Sequence, residues 1–379
     1  LGMAAKRLGQ PPVLGEIIAG ILLGPTLFHG KITATLFPVT LRPPLSALAN
    51  LGVVMFMFAV GYLLDLRLIR GRERVAASVS VSSIIFPLSL GVGLGAWLAS
   101  RHHVHQVLPF ALFVGTAMSV TAFPVLARIL TDRNMHRTRI GSIALASAAT
   151  DDALAWSLLA VVAAISGVGS QQFRLLLVPV YAGVMFGLVR PLLRRLVDVY
   201  RRRGRLTPNV LAVVLAGLLS SFATDWMGLK YIFGAFLFGV VMPREGVAAA
   251  LREEILDRLE QVSVLVLLPV FFVVSGLSVN LSSVGLSGLT ELCLILLVAV
   301  AGKFGGAFVG ARLAGVRGRR AGVLATLMNT RGLTGIVILS VGLQLHILDQ
   351  SLYSLMIVMA IVTTMMAGPL LHLIYPDRF

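Results

Sequence analysis

Apolar positions in this chain do not recur at the period of an amphipathic helix or of a half-buried strand. They come instead in long runs, separated by short polar segments rich in arginine. Runs able to span a membrane, or to span it partly when tilted or broken, fall at 12–28, 45–64, 75–100, 109–130, 140–165, 174–196, 210–223, 231–241, 262–277, 292–314, 323–345 and 352–374. The pattern predicts an all-α polytopic membrane protein with about twelve transmembrane segments, residues 1–8 being the tail of an earlier one. Residues 246–261, with Arg252, Glu253, Glu254, Asp257, Arg258 and Glu260, read as an amphipathic connector lying on the membrane surface.

Two of these runs carry interruptions. Thr121-Ala122-Phe123-Pro124 breaks the fourth with a proline, which removes an N–H and frees backbone carbonyls. Asn329-Thr330-Arg331-Gly332 breaks the eleventh with polar groups and a glycine. Alternating passage through the membrane places these two spans in opposite directions, and broken helices at matching positions of inverted halves point to a transport site near the midplane. Irregular backbone at that depth persists only where protein buries it or a cavity lines it.

Composition agrees with a membrane protein. Of 379 residues, 57% are hydrophobic and only 13% charged, against roughly a quarter charged in soluble domains. The net charge of +16 raises the question of nucleic acid, which the distribution of charge answers. Only Lys31, Arg42, Arg101, Arg174 and Lys230 fall on one set of alternate loops, Lys303 and Arg331 lie inside spans, and the other basic residues collect on the opposite set. This is the positive-inside pattern; it places both ends of the chain in the cytoplasm, makes the cell membrane the expected location and removes the nucleic-acid reading. Cys293 lies within an apolar run and is expected to be a buried thiol. No Lys-Ser/Thr pair follows Gly302, Gly305 and Gly306, so no phosphate loop is present and no cofactor is expected.

The costliest residues are Asp151 and Asp152, adjacent carboxylates in the middle of the apolar run 140–165. Each is unfavourable there by about 2.5–3.5 kcal/mol even on insertion scales, so the pair marks an ion or proton pathway. Neighbours on a helix point about 100° apart, and the two therefore serve different ends: one faces a partner, for which Lys303 is the natural candidate, and the other a cavity. Thr121, the carbonyls freed beside it and Ser147 are candidate neutral ligands for a hard cation. Arg331 is a candidate charge compensator at the second break. Glu16 is a secondary candidate, more often a packing or capping residue at such a position. His102, His103 and His105 read as a solvated outer loop, and Asp225 and Glu291 as interfacial.

The segment 10–25, Thr121 to Leu130, the Asp151-Asp152 pair, Lys303 and Asn329 to Leu333 together resemble the monovalent cation/proton antiporters, most of all the plant cation/proton exchangers and bacterial NapA-type antiporters, nearly end to end. The resemblance implies a single transmembrane domain over 1–379 with a thirteen-span fold lacking its first helix here, and two crossed discontinuous helices. It implies a transport core of approximately 75–165 and 290–374 moving as an elevator against a dimerisation and scaffold part of 12–64 and 174–277. By position, Asp152 would hold cation and proton in turn and Asp151 would pair with Lys303; the partners implied are monovalent cations, protons, lipid and a second copy of the chain. Many relatives carry an acidic residue where this chain has Gly335. A ligand-gated K⁺ efflux system and a transport-silent relative remain alternatives. An intramembrane aspartyl hydrolase does not, since it needs its two Asp on different helices.

Overall fold

The computed structural model describes the chain apart from residues 8–9, 11, 27–30, 64–72, 103, 133–134, 136–137, 166–176, 196–206, 228–230, 244–254, 260–261, 282–285 and 375–379. Every regular element among the described residues is helical: α1 (Gly2–Arg7), α2 (Pro12–Leu23), α3 (Lys31–Leu36), α4 (Arg42–Leu63), α5 (Glu73–Arg101), α6 (Val107–Ser119), α7 (Phe123–Asp132) and α8 (Arg139–Ile165), then α9 (Leu177–Val184), α10 (Thr207–Trp226), α11 (Tyr231–Val241), α12 (Leu268–Leu277), α13 (Leu286–Leu313), α14 (Gly318–Met328), α15 (Gly332–Gln344) and α16 (Gln350–Ile374). Each of the twelve apolar runs coincides with helical structure. Among the described residues, five helices, α4, α5, α8, α13 and α16, are long and apolar enough to cross a membrane on their own. The connector read at 246–261 lies outside the described residues except for 255–259.

The helices that flank the two interruptions are short. Thirteen residues of α6 rise only about 20 Å, too little for a hydrocarbon core about 30 Å thick. The first break is Val120–Ala122, and Pro124 sits just inside α7. A proline is at home in a first helical turn, where its missing N–H has no intrahelical acceptor. The second break runs from Asn329 to Arg331, with Gly332 opening α15 at φ +33°. A side chain at Gly332 would also stand 2.5 Å from Val125 Cγ2, so both the backbone angle and the nearness of α7 select glycine.

The described chain forms two compact units. One comprises Leu1–Pro38, Leu66–Ser166 and Ser275–Phe379, the other Val39–Asp65 and Gly167–Val274. In the second unit α4 and α11 meet through glycines: a Cβ on Gly61 would lie 2.2 Å from the Phe236 carbonyl and one on Gly239 2.2 Å from that of Phe58. Tyr62 OH donates to the carbonyl of Pro243, just beyond α11, at 3.0 Å.

In the first unit α5 lies between α6 and α13, and small residues permit the close approach, as is usual where lipid supplies no drive for helices to associate. A Cβ at Gly306 of α13 would stand 2.4 Å from the Ser82 carbonyl, and one at Gly310 2.5 Å from that of Ser78. Gly305, the next position round the helix, has nothing within 4 Å. Gly306→Val is therefore expected to destabilise by about 1–3 kcal/mol, the range for overpacking, and to lower the melting temperature in detergent, whereas Gly305→Val leaves it unchanged. Cys293 lies on the outer side of α13 and is exposed, contrary to the buried thiol expected. In a membrane an apolar run says nothing about which face points inward, because the surroundings are apolar as well.

Candidate functional site

A broken helix leaves backbone groups without intrahelical partners, and the fate of each is informative. Where α6 ends, the Met118 carbonyl accepts from Arg331 Nη2 at 2.7 Å, and the Ser119 carbonyl accepts a short bond from Lys303 Nζ. Two cations thus cover the negative end of a half-helix. Beyond the break, the Ala122 N–H donates across to the Thr330 carbonyl at 2.9 Å. At the other break, the Met328 carbonyl accepts from Thr121 Oγ1 at 3.0 Å, and the N–H groups of Arg331 and Gly332 donate to Thr364 Oγ1 at 3.3 and 3.0 Å. The two interruptions therefore satisfy one another.

α8 carries Asp151 and Asp152 past this junction, and both are fully buried. Asp151 is enclosed by donors. Ser80 Oγ donates to its Oδ1 at 2.5 Å, while Oδ2 accepts from Ser83 Oγ at 2.9 Å, Thr121 Oγ1 at 2.9 Å and Lys303 Nζ at 2.8 Å. Lys303 is also fully buried and donates in addition to the Ser83 carbonyl at 3.0 Å.

Asp152 stands in the opposite condition. Among the described residues, neither of its oxygens meets a protein donor at hydrogen-bond geometry. The Phe123 N–H, at the positive end of the half-helix α7, interacts with it from outside that geometry, as do the charges of Asp151 and Lys303. A buried charge with no partner is untenable in a medium of low polarity; the group requires a proton or a cation. Asn329 Oδ1, at the second break, and Thr334 Oγ1, in the first turn of α15, are likewise buried without a hydrogen-bond partner among the described residues.

The sequence candidates thus divide. Asp151, Asp152, Thr121, Lys303 and Arg331 are brought together with the breaks at 120–122 and 329–331. The single Thr121 hydroxyl proton has Asp151 Oδ2 and the Met328 carbonyl as alternative acceptors. Ser147 is buried but spends its hydroxyl on the Ala76 carbonyl of α5 at 3.2 Å. Thr330 Oγ1 turns back to the Leu327 carbonyl at 2.9 Å. Glu16 packs against Gly2 of α1 and is not among the groups that touch either aspartate. Arg331 has no carboxylate partner at hydrogen-bond distance among the described residues; besides the Met118 carbonyl it holds the Ala299 carbonyl at 2.8 Å and the Met359 sulfur at 2.7 Å.

Sequence reasoning missed two groups. Ser80 and Ser83, three apart on one face of α5, were hidden in Ser78-Val-Ser80-Val-Ser82-Ser83, where nothing marks which serines face inward. The second is at the far end of α5. His102, read as part of a solvated loop, lies 3.2 Å from Glu291 Oε2 and 2.7 Å from Asp349 Oδ2. Glu291, read as interfacial, is buried and also binds Arg101 at 3.0 Å. The contact joins residues 189 and 247 positions apart, a distance no local pattern bridges. His103 lies outside the described residues.

Residues 1–375 match the family described as sodium/hydrogen exchanger, transmembrane. The chain is 38% identical to the Na⁺/H⁺ antiporter NhaS4 of Synechocystis over 99% of its own length and 94% of that protein. It is 35% identical to cation/H⁺ antiporter 20 of Arabidopsis thaliana and 31% identical to K⁺/H⁺ antiporter 1 of Saccharomyces cerevisiae, in each case over 99% of this chain. It spans 47% and 44% of those two proteins, about half their length. The fold is similar to that of the sodium proton antiporter MjNhaP1 of Methanocaldococcus jannaschii, with a TM-score of 0.70 at 13% identity, covering 100% of this chain and 95% of the other.

Proposed function

This chain belongs to the sodium/hydrogen exchanger family of monovalent cation:proton antiporters, and on that premise we propose that it exchanges Na⁺ or K⁺ for H⁺ across the cell membrane, with Asp152 holding proton and cation in turn. The observation that carries this reading is the contrast within the pair. Asp151 is met by four donors, whereas Asp152, one residue on, is equally buried and meets none at hydrogen-bond geometry among the described residues. A single carboxylate that must be neutralised, and that either a proton or a monovalent cation neutralises, makes the two loads mutually exclusive. That exclusivity is what couples their movement.

The neighbourhood supports the same reading. Lys303 and Arg331 supply fixed positive charge at the C-terminal end of α6, and the N-terminal end of α7 faces the carboxylate. Thr121 and Ser147 are the neutral oxygens proposed for the cation, with freed carbonyls of the breaks beside them. In the wider mechanism the two breaks belong to crossed half-helices of inverted repeats within a fold of about twelve spans, both ends cytoplasmic. A core of approximately 75–165 and 290–374 moves as an elevator against 12–64 and 174–277, which holds the homodimer. The relatives' names include both Na⁺ and K⁺, so the reading covers both ions.

The test is proton flux in proteoliposomes that hold an acid interior, with Na⁺, Li⁺ and K⁺ added outside in turn. At least one ion is expected to release protons, and the order of the three names the substrate. Cation flux without proton release would put an efflux channel in place of the antiporter.

A further inference from the structure

Two of the four donors to Asp151 come from α5, which bears no charged residue between Arg74 and Arg101. Each hydroxyl around Asp151 has one proton and two acceptors within reach. Ser80 Oγ lies 2.5 Å from Asp151 Oδ1 and 3.4 Å from the Ser147 carbonyl. Ser83 Oγ lies 2.9 Å from Asp151 Oδ2 and 3.0 Å from the Ser80 carbonyl. The hydroxyls point to the carboxylate while it is charged and have a carbonyl to turn to otherwise, so the cage is never left with a stranded proton. Ser80 meets Oδ1, while Ser83, Thr121 and Lys303 converge on Oδ2.

We propose that Ser80 and Ser83 are positioning residues of the exchange reaction: acting through Asp151, they hold it as a fixed anion beside Lys303 and leave Asp152 the one carboxylate of the pair free to change its load. The inference rests on the antiport reading above. Neither serine donates to Asp152, so neither sets cation affinity directly. Both are carried by the helix that glycines bring against α13, which is what puts them within reach of the Lys303–Asp151 pair.

Two measurements test it. In proteoliposomes, the maximal exchange rate of S80A/S83A is expected to fall about ten-fold, the scale for removing hydrogen bonds to a buried charge, while the half-saturating cation concentration moves less than about three-fold because Asp152 is untouched. S80T/S83T, which keeps both hydroxyls, is expected to retain most of the rate. The second measurement is the melting temperature in detergent of S80A/S83A with and without Asp151→Asn, a double-mutant cycle that reads whether the serines act through the carboxylate. The loss is expected to be large beside Asp151 and to shrink by at least about half in the Asp151→Asn background. Equal losses in both backgrounds, or a loss of cation affinity with the rate retained, would overturn the proposal. If the unaltered chain exchanges no cation at all, the antiport reading fails, whereas the melting cycle still reports whether the serines act on Asp151.

Discussion

Asp152→Asn is expected to abolish cation-driven proton release while leaving the protein as stable as before, or more so. Asparagine keeps the shape of the side chain but neither carries an exchangeable proton nor offers a negative charge. Two unit charges about 4 Å apart attract by about 4 kcal/mol at an effective dielectric constant of about 20, so a cation losing this partner loses affinity by about a thousand-fold. Stability moves the other way, because the substitution removes a fully buried carboxylate whose two oxygens meet no donor at hydrogen-bond geometry among the described residues. Flux and melting temperature measured on one preparation check both halves. A variant that still exchanges at the normal rate would remove Asp152 from its place in the mechanism, and one that fails to fold would mean that the carboxylate is structural.

Arg331→Met is expected to lose both stability and exchange. Methionine replaces the volume of the side chain but leaves the Met118 carbonyl at the end of α6 without its donor, since the break has sent the Ala122 N–H to Thr330 instead. Ala299 loses a second donor. Unsatisfied buried groups cost about 1–3 kcal/mol each, offset in part by the desolvation that the guanidinium no longer suffers. The net expectation is a melting temperature lower by several degrees, about 4–8 °C per kcal/mol in small domains and less in a chain of this size. Arg331→Lys is expected to restore only part of the loss, because a compact ammonium on a thinner stem does not reproduce a planar fork spread over Met118, Ala299 and Met359.

The centre of the candidate site was legible in the sequence because its residues are expensive. Two adjacent aspartates, a lysine and an arginine inside apolar runs have few reasons to exist in a bilayer, and the proline and glycine that mark the half-helices are equally conspicuous. Ser80 and Ser83 were not legible: a hydroxyl in a span satisfies itself on a carbonyl of its own helix, as Thr363 and Thr364 do here, and costs little wherever it points. Which serines meet Asp151 is decided by the rotation of α5 between α6 and α13, fixed by close contacts such as that of Gly306 with the Ser82 carbonyl. The His102–Glu291–Asp349 contact was hidden for a different reason. It is assembled from three segments distant in the chain, each of which taken alone reads as an ordinary helix end at the membrane surface.

The charges at the breaks have an electrical consequence. With both carboxylates ionised, Asp151, Asp152, Lys303 and Arg331 sum to zero, and a proton or a monovalent cation on Asp152 raises the sum to plus one in either case. Moving one elementary charge across a membrane is worth about 2.3 kcal/mol per 100 mV, so membrane voltage acts equally on the two loaded forms and not at all on the empty one. One-for-one exchange through this site passes no net current. On the proposed role of Asp152, a current recorded during exchange would count protons that Asp152 does not carry, and Lys303, bonded to Asp151, would be the first place to look for them.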